Sequence, residues 1–106
     1  MKSYLLLILL LFVPAKASKV DNDKITVVQI NAKWNKNQNL DLNGLVGCSV
    51  EFVYLDEQSK EFQSQVKTVP IVVLYKNNRP VMQWSADLSF KLDLDVEEIQ
   101  SVINKL

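Results

Sequence analysis

The chain has no histidine and only one cysteine, Cys48. Those two counts exclude much enzymology. No intrachain disulfide can form, a zinc site of cysteine and histidine ligands is out of reach, and neither a Ser-His nor a Cys-His catalytic pair can be assembled. Charge is balanced too, with 12 basic against 12 acidic side chains. With no Lys/Arg cluster, nothing draws the protein to nucleic acid or to an anionic membrane surface. There is no internal repeat and no low-complexity tract, and 106 residues bound the chain to one small domain with one core. The expectation is a protein without metal or cofactor.

Long apolar runs are missing except at the start. Met1-Lys2-Ser3 is a short basic opening, Leu5 to Val13 is unbroken apolar sequence, and Ala15-Lys16-Ala17 supplies small residues before Ser18. That pattern reads as a secretory signal peptide. The apolar run falls short of the roughly 20 residues that span a bilayer, and no cysteine stands at the cleavage site to carry a lipid. The expected organisation is a signal peptide over 1–17 and an exported domain over 18–106, periplasmic or secreted. Cleavage removes Lys2 and Lys16, leaves a slight acidic excess, and ends any stable membrane insertion.

Within 18–106, a polar lead-in reaches Lys24, and Ile25-Thr26-Val27-Val28-Gln29-Ile30 then reads as a central strand. From Ala32 to Asn43 the chain is polar, with Asn35, Asn37, Asn39 and Asn43 competing with helix for backbone bonds. Leu40, Leu42 and Leu45 could line a short helix that Gly44 and Gly47 end. Residues 50–55 form a second strand, and 57–65 suit a helix with Phe62 and Val66 four apart. Pro70 precedes the apolar run Ile71-Val72-Val73-Leu74-Tyr75. Proline cannot donate in a ladder, so it belongs at that strand's first residue or on an edge. Asn77-Asn78 tolerate the positive φ of a hairpin turn before Val81-Met82-Gln83-Trp84. Asp95, with Glu98 as capping-box partner, opens a last helix whose stripe is Val96, Ile99, Val102, Ile103 and Leu106. The order β-α-β-α-β-β-α predicts an α/β fold. Strands joined through helices should pair in parallel, the hairpin adds an antiparallel strand, and helices cover a mixed sheet on both faces.

That order, with those residues, resembles the minimal core of the thioredoxin family from about Ile25 to Leu106. Val28-Gln29-Ile30-Asn31-Ala32-Lys33-Trp34 is similar to the family's strand leading into its Trp-Cys-x-x-Cys motif. Val66-Lys67-Thr68-Val69-Pro70 looks like the segment ending in its cis-proline. Tyr75-Lys76-Asn77-Asn78 is similar to its hairpin turn, and Ala86 falls where a glycine is usual. The departures matter as much. The motif positions read Asn35-Lys36-Asn37-Gln38, so both cysteines are replaced, and Gln29 stands for the family's buried acid. The segment from Trp34 to Val50 is shorter by about two helical turns, each about 3.6 residues. Thiol-disulfide exchange needs an attacking and a resolving thiol, and Asn35 and Gln38 supply neither.

The resemblance implies a redox-inactive domain that keeps the family's way of holding an extended peptide beside its proline, by strand addition that needs no thiol. The candidate surface is Trp34, Asn35, Gln38, Val69 and Pro70, and the expected partner is a protein or peptide. Trp34 reads equally as a partner contact or as packing, and Trp84 reads as packing. Asp93, Asp95, Glu97 and Glu98 complement the dipole of the last helix rather than forming an acidic site. Asp56 and Glu57 lack a second carboxylate pair for acid/base work, and Lys36 reads as a solvated loop residue. Cys48 reads as a part-buried structural thiol or an intermolecular disulfide partner. The alternative function is an oxidoreductase-related protein acting through Cys48 or a partner's thiols. A purely structural subunit is a third reading.

Overall fold

The computed structural model describes residues 24–106. The expected signal peptide lies outside the described residues. Four strands, β1 (Ile25–Asn31), β2 (Ser49–Tyr54), β3 (Ile71–Lys76) and β4 (Arg79–Ser85), form one sheet in the order β2-β1-β3-β4. Among the described residues two α-helices accompany them, α1 (Lys60–Gln65) and α2 (Val96–Asn104), with 3-10 turns at Lys33–Gln38 and Leu55–Glu57.

The central strands carry the pattern that puts them in the centre. Every residue of β1 after Ile25, and every residue of β3 before Lys76, is buried. Alternate side chains feed two cores. Val28 and Ile30 join Ile71, Val73, Tyr75 and the α1 residue Phe62 on one face. Val27, Val72 and Leu74 join Leu42, Leu45, Leu94 and the α2 residues Ile99 and Ile103 on the other. Burying each such aliphatic side chain is worth about 1.5–3 kcal/mol, which secures a nine-residue helix too short to persist alone. Val96, Val102 and Leu106 pack at the margin of the same core, as does Trp84.

The hairpin turn is built as its sequence requires. Asn77 and Asn78 have φ of 53° and 68°, the left-handed pair that a primed turn needs. Asn77 also closes the sheet end on Lys24 by two bonds, its N–H donating to the Lys24 carbonyl and its Oδ1 accepting from the Lys24 N–H, both at 2.8 Å.

Three expectations are corrected. β1 and β2 are parallel, but β3 runs antiparallel to β1. The six residues of α1 advance only about 9 Å, whereas returning along a strand of that length needs about 20 Å. The connection therefore stays at one end of the sheet, and β3 starts beside Ile30, next to where β2 finishes beside Asn31. Secondly, Leu40, Leu42 and Leu45 lie on no helix. The only helical turn there is the 3-10 stretch Lys33–Gln38, and the leucines that follow reach the core from irregular backbone. Thirdly, Asp95 precedes α2 without a side-chain cap, and its carbonyl accepts from the Glu98 N–H at 3.0 Å. Ser59 makes the real side-chain cap, at α1, accepting from the Phe62 N–H at 3.1 Å.

The Tyr75 hydroxyl is buried without a hydrogen-bond partner among the described residues. Burial, and then the nearby Glu51 charge, push its ionisation far above the ordinary tyrosine value. The folded state thus holds this proton where the unfolded chain releases it, so the stabilisation is complete below about pH 10, the free-tyrosine value, and is lost as pH rises above it. Tyr75→Phe is expected to leave stability at pH 7 unchanged or raise it by about 1 kcal/mol. It should also remove part of the alkaline loss. Urea unfolding at pH 7 and at about pH 10.5, just above the free-tyrosine value, checks both.

Candidate functional site

Asn31 ends β1, Pro70 precedes β3, and the segment after β4 returns to the same end of the sheet. Their meeting point is Asn35, only 8% exposed. The 3-10 stretch that carries it is kinked there (φ −112°, ψ 16°), and its N–H donates to the Ala32 carbonyl at 2.9 Å. The Asn35 Nδ2 donates to Asn31 Oδ1 at 3.0 Å, to the Phe90 carbonyl at 3.1 Å and, more weakly, to the Val69 carbonyl at 3.3 Å. Asn31 answers from the strand end, its Nδ2 donating to the Asn35 carbonyl at 3.0 Å and also to Asn39 Oδ1. One carboxamide thus ties together the end of β1, the residue before Pro70 and the loop after β4.

Gln29, two residues back on the same face, makes a second amide clamp. Its Nε2 donates to the Leu40 carbonyl at 3.0 Å and its Oε1 accepts from the Leu40 N–H at 2.8 Å. Both backbone groups of Leu40 are satisfied as they would be in a strand ladder. This holds the helix-free segment 39–45 against the sheet. A carboxylate here would accept but could not donate.

The Val69-Pro70 peptide bond is cis. The turn is anchored to the residue just after β4 by Thr68 Oγ1 donating to the Ala86 carbonyl at 2.7 Å and by the Ala86 N–H donating to the Pro70 carbonyl at 3.1 Å. Val69 and Pro70 are buried. The Val69 N–H makes no hydrogen bond to another described residue. Trp34 stands 66% exposed, its ring edge-to-face with Phe90 at 5.1 Å and 83°. Phe90 holds φ of 61°, a conformation uncommon for an aromatic residue, and Asn35 grips its carbonyl. Leu88, in the same loop, is 81% exposed. At the rim, Lys33 pairs with Glu57 at 3.0 Å, which raises the lysine's ionisation, and its backbone N–H donates to Asp56 Oδ1 at 2.6 Å.

The expected site residues therefore do not behave alike. Trp34, Asn35, Val69 and Pro70 come together. Gln38 is half-buried at the end of the 3-10 stretch and takes no part in the tie. Asn31 and Phe90 were not anticipated. Phe90 acts through a backbone conformation that its residue type does not announce, whereas an asparagine ending an apolar strand was a readable hint of a polar tie. Cys48 is elsewhere. Ser49 pairs with Thr26, at the opposite end of β1 from Asn31, on the order of 17 Å away at about 3.3 Å per residue. Burial among the core residues raises the Cys48 ionisation, which disfavours the reactive thiolate.

The fold is similar to that of solved thioredoxin structures. Thioredoxin-2 of the malaria parasite, described as a component of that parasite's protein secretion machinery, matches with a TM-score of 0.59 at 17% identity, covering 84% of this chain and 89% of that one. A mutant thioredoxin from Halobacterium salinarum matches with a TM-score of 0.58 at 15% identity over 77% of this chain and 74% of that one. The chain has a thioredoxin-like fold. Deadhead, the germline thioredoxin of Drosophila melanogaster, gives a TM-score of 0.50 at 18% identity over 80% and 83%. No protein-family model and no curated protein sequence matches the chain. With one cysteine, this thioredoxin-like domain cannot form an internal dithiol pair.

Asn35→Ala removes the donor for two backbone carbonyls and for Asn31 Oδ1. Leaving buried acceptors unpaired costs about 1–3 kcal/mol each, and partial relaxation should hold the total to about 2–4 kcal/mol. Chemical denaturation measures this. Asn37→Ala, on the exposed side of the same turn, should change stability by less than about 0.5 kcal/mol.

Proposed function

We propose that the protein is an exported, redox-inactive thioredoxin-like domain that binds an extended peptide segment of a partner protein beside Val69 and Pro70. The observation that carries this reading is the exposed Trp34 ring, packed edge-to-face on half-buried Phe90, which the Asn35 amide joins to the backbone just before Pro70. Exposed aromatic rings on a rigid backbone give large contact area at little entropic cost, and such residues dominate binding energies at interfaces. The Val69 N–H, without a hydrogen-bond partner among the described residues, would be the main-chain donor for an added strand. Its access is narrow, since Val69 is buried, so the aromatic rings would carry most of the affinity. Export rests on the leader pattern of residues 1–17.

The oxidoreductase alternative has less support. Cys48 lies at the far end of the sheet, and burial raises its ionisation, the reverse of the electropositive setting that activates a thiol. The purified protein is expected to reduce no disulfide substrate above background, and Cys48→Ser is expected to change nothing. Turnover abolished by Cys48→Ser would establish the alternative instead.

Binding is tested with an array of overlapping peptides drawn from exported proteins of the same host, followed by titration of each hit. Trp34→Ala should weaken a genuine peptide ligand at least tenfold, equivalent to about 1.4 kcal/mol. Trp84→Phe, which alters only packing at the core margin, should leave affinity within about twofold. Ligands indifferent to Trp34→Ala would place recognition elsewhere. A separate check applies to export: intact-mass measurement of the native protein should find it beginning at Ser18.

A further inference from the structure

The two edges of the sheet are treated differently. β4 carries Pro80, Arg79 and a register shift opposite Leu74/Tyr75, three features that discourage a further strand. β2, the other edge, reads Ser49-Val50-Glu51-Phe52-Val53-Tyr54 and has no proline, no lysine and no register shift in its pairing with β1. Its register places Val50, Phe52 and Tyr54 on the face of Val27, Gln29 and Asn31. On that face Val50 is 45% and Phe52 42% exposed, and the Phe52 ring packs edge-to-face on Tyr54 at 4.8 Å. The short segment after the 3-10 stretch reaches Gln29 through Leu40 but leaves this apolar stripe open. Among the described residues, an unpaired backbone edge and an open apolar stripe therefore coincide on one strand.

We propose that the protein forms a two-fold dimer by antiparallel pairing of β2 with β2 of a second copy, in the register centred on Phe52. The strand's own charge and side-chain pattern argue for this occupant. A two-fold axis perpendicular to the sheet keeps each face, so directly opposed residues must point the same way. Two registers then engage nearly the whole strand, one centred on Glu51 and one on Phe52. Centring on Glu51 sets two carboxylates directly opposite each other, which is destabilising. Centring on Phe52 sets each Glu51 against Val53, each Val50 against Tyr54, and the two Phe52 rings against each other. The stripe becomes continuous across both copies, the unpaired edge backbone finds partners, and two four-stranded sheets merge into one. Such a closed, isologous contact is the commonest form of homo-oligomer. It uses neither Trp34 nor the proline turn, so it stands or falls independently of the peptide-binding reading.

Sedimentation velocity on the purified protein from micromolar to millimolar concentration should show a monomer–dimer equilibrium, and Phe52→Glu should weaken it at least a hundredfold. The register is read by cysteine trapping in a Cys48→Ser background. Phe52→Cys places two thiols at the two-fold, where opposed Cα atoms lie about 4.5–5.5 Å apart, within disulfide reach, and mild oxidant should yield a linked dimer. Val50→Cys places them about 14 Å apart along the strand, beyond the limit of about 7 Å, and should yield little. If Phe52→Glu fails to fold, the trapping pair still decides. A monomer at every concentration, or Val50→Cys linking as readily as Phe52→Cys, overturns the proposal. A strict monomer would leave the edge to another protein or to residues 18–23 of this chain.

Discussion

The Asn35 carboxamide is the contact on which the functional end of the molecule depends. Its nitrogen reaches Asn31, Val69 and Phe90, segments up to 55 positions away in sequence. Inside a protein such a bond is stronger than in water, and its loss strands the acceptors it served. An amide suits the place: its nitrogen donates to all three acceptors, whereas a thiol is a weak donor and an ionised carboxylate is no donor at all. Where the family resemblance puts a reactive cysteine, this chain has a structural fastener.

Gln29 repeats the principle two residues earlier on the strand. By gripping both backbone groups of Leu40 it lets an irregular segment do the covering that a helix would otherwise do, and Leu42 and Leu45 still reach the core. The economy has a consequence at the sheet edge. A segment pinned over β1 does not extend across β2, so Val50 and Phe52 stay open. The apolar stripe that this short segment leaves on β2 belongs to the proposed dimer, and the separate aromatic contact of Trp34 with Phe90 belongs to the proposed peptide site.

Much of the frame was legible from residues alone. Ile25–Ile30 and Ile71–Tyr75 are apolar enough to read as strands covered on both faces, Asn77-Asn78 demands a primed turn, and the Val96-to-Leu106 stripe specifies a helix. These are local patterns, and local chemistry decides them. The motif order also brought Trp34, Asn35, Val69 and Pro70 together in advance. Where reading failed, the deciding interactions were long-range. Nothing near Leu40 reveals that Gln29 will hold it out of a helix, and Asp95 looks like a side-chain cap although only its backbone carbonyl bonds the first turn of α2. The antiparallel course of β3 follows from a helix too short to cross the sheet. Phe90 adopts a backbone conformation that its neighbours do not encode.

The central claim is that Asn35 is a buried tie, and side-chain amide hydrogen exchange tests it most directly. By NMR, the Asn35 Nδ2 protons should exchange far more slowly than those of Asn37, which sits exposed on the same 3-10 stretch. Their protection should rise and fall with global stability as denaturant is added. Asn35 protons that exchange as fast as those of Asn37 would contradict the account, because the turn before Pro70 and the Phe90 loop would then be held together by something else.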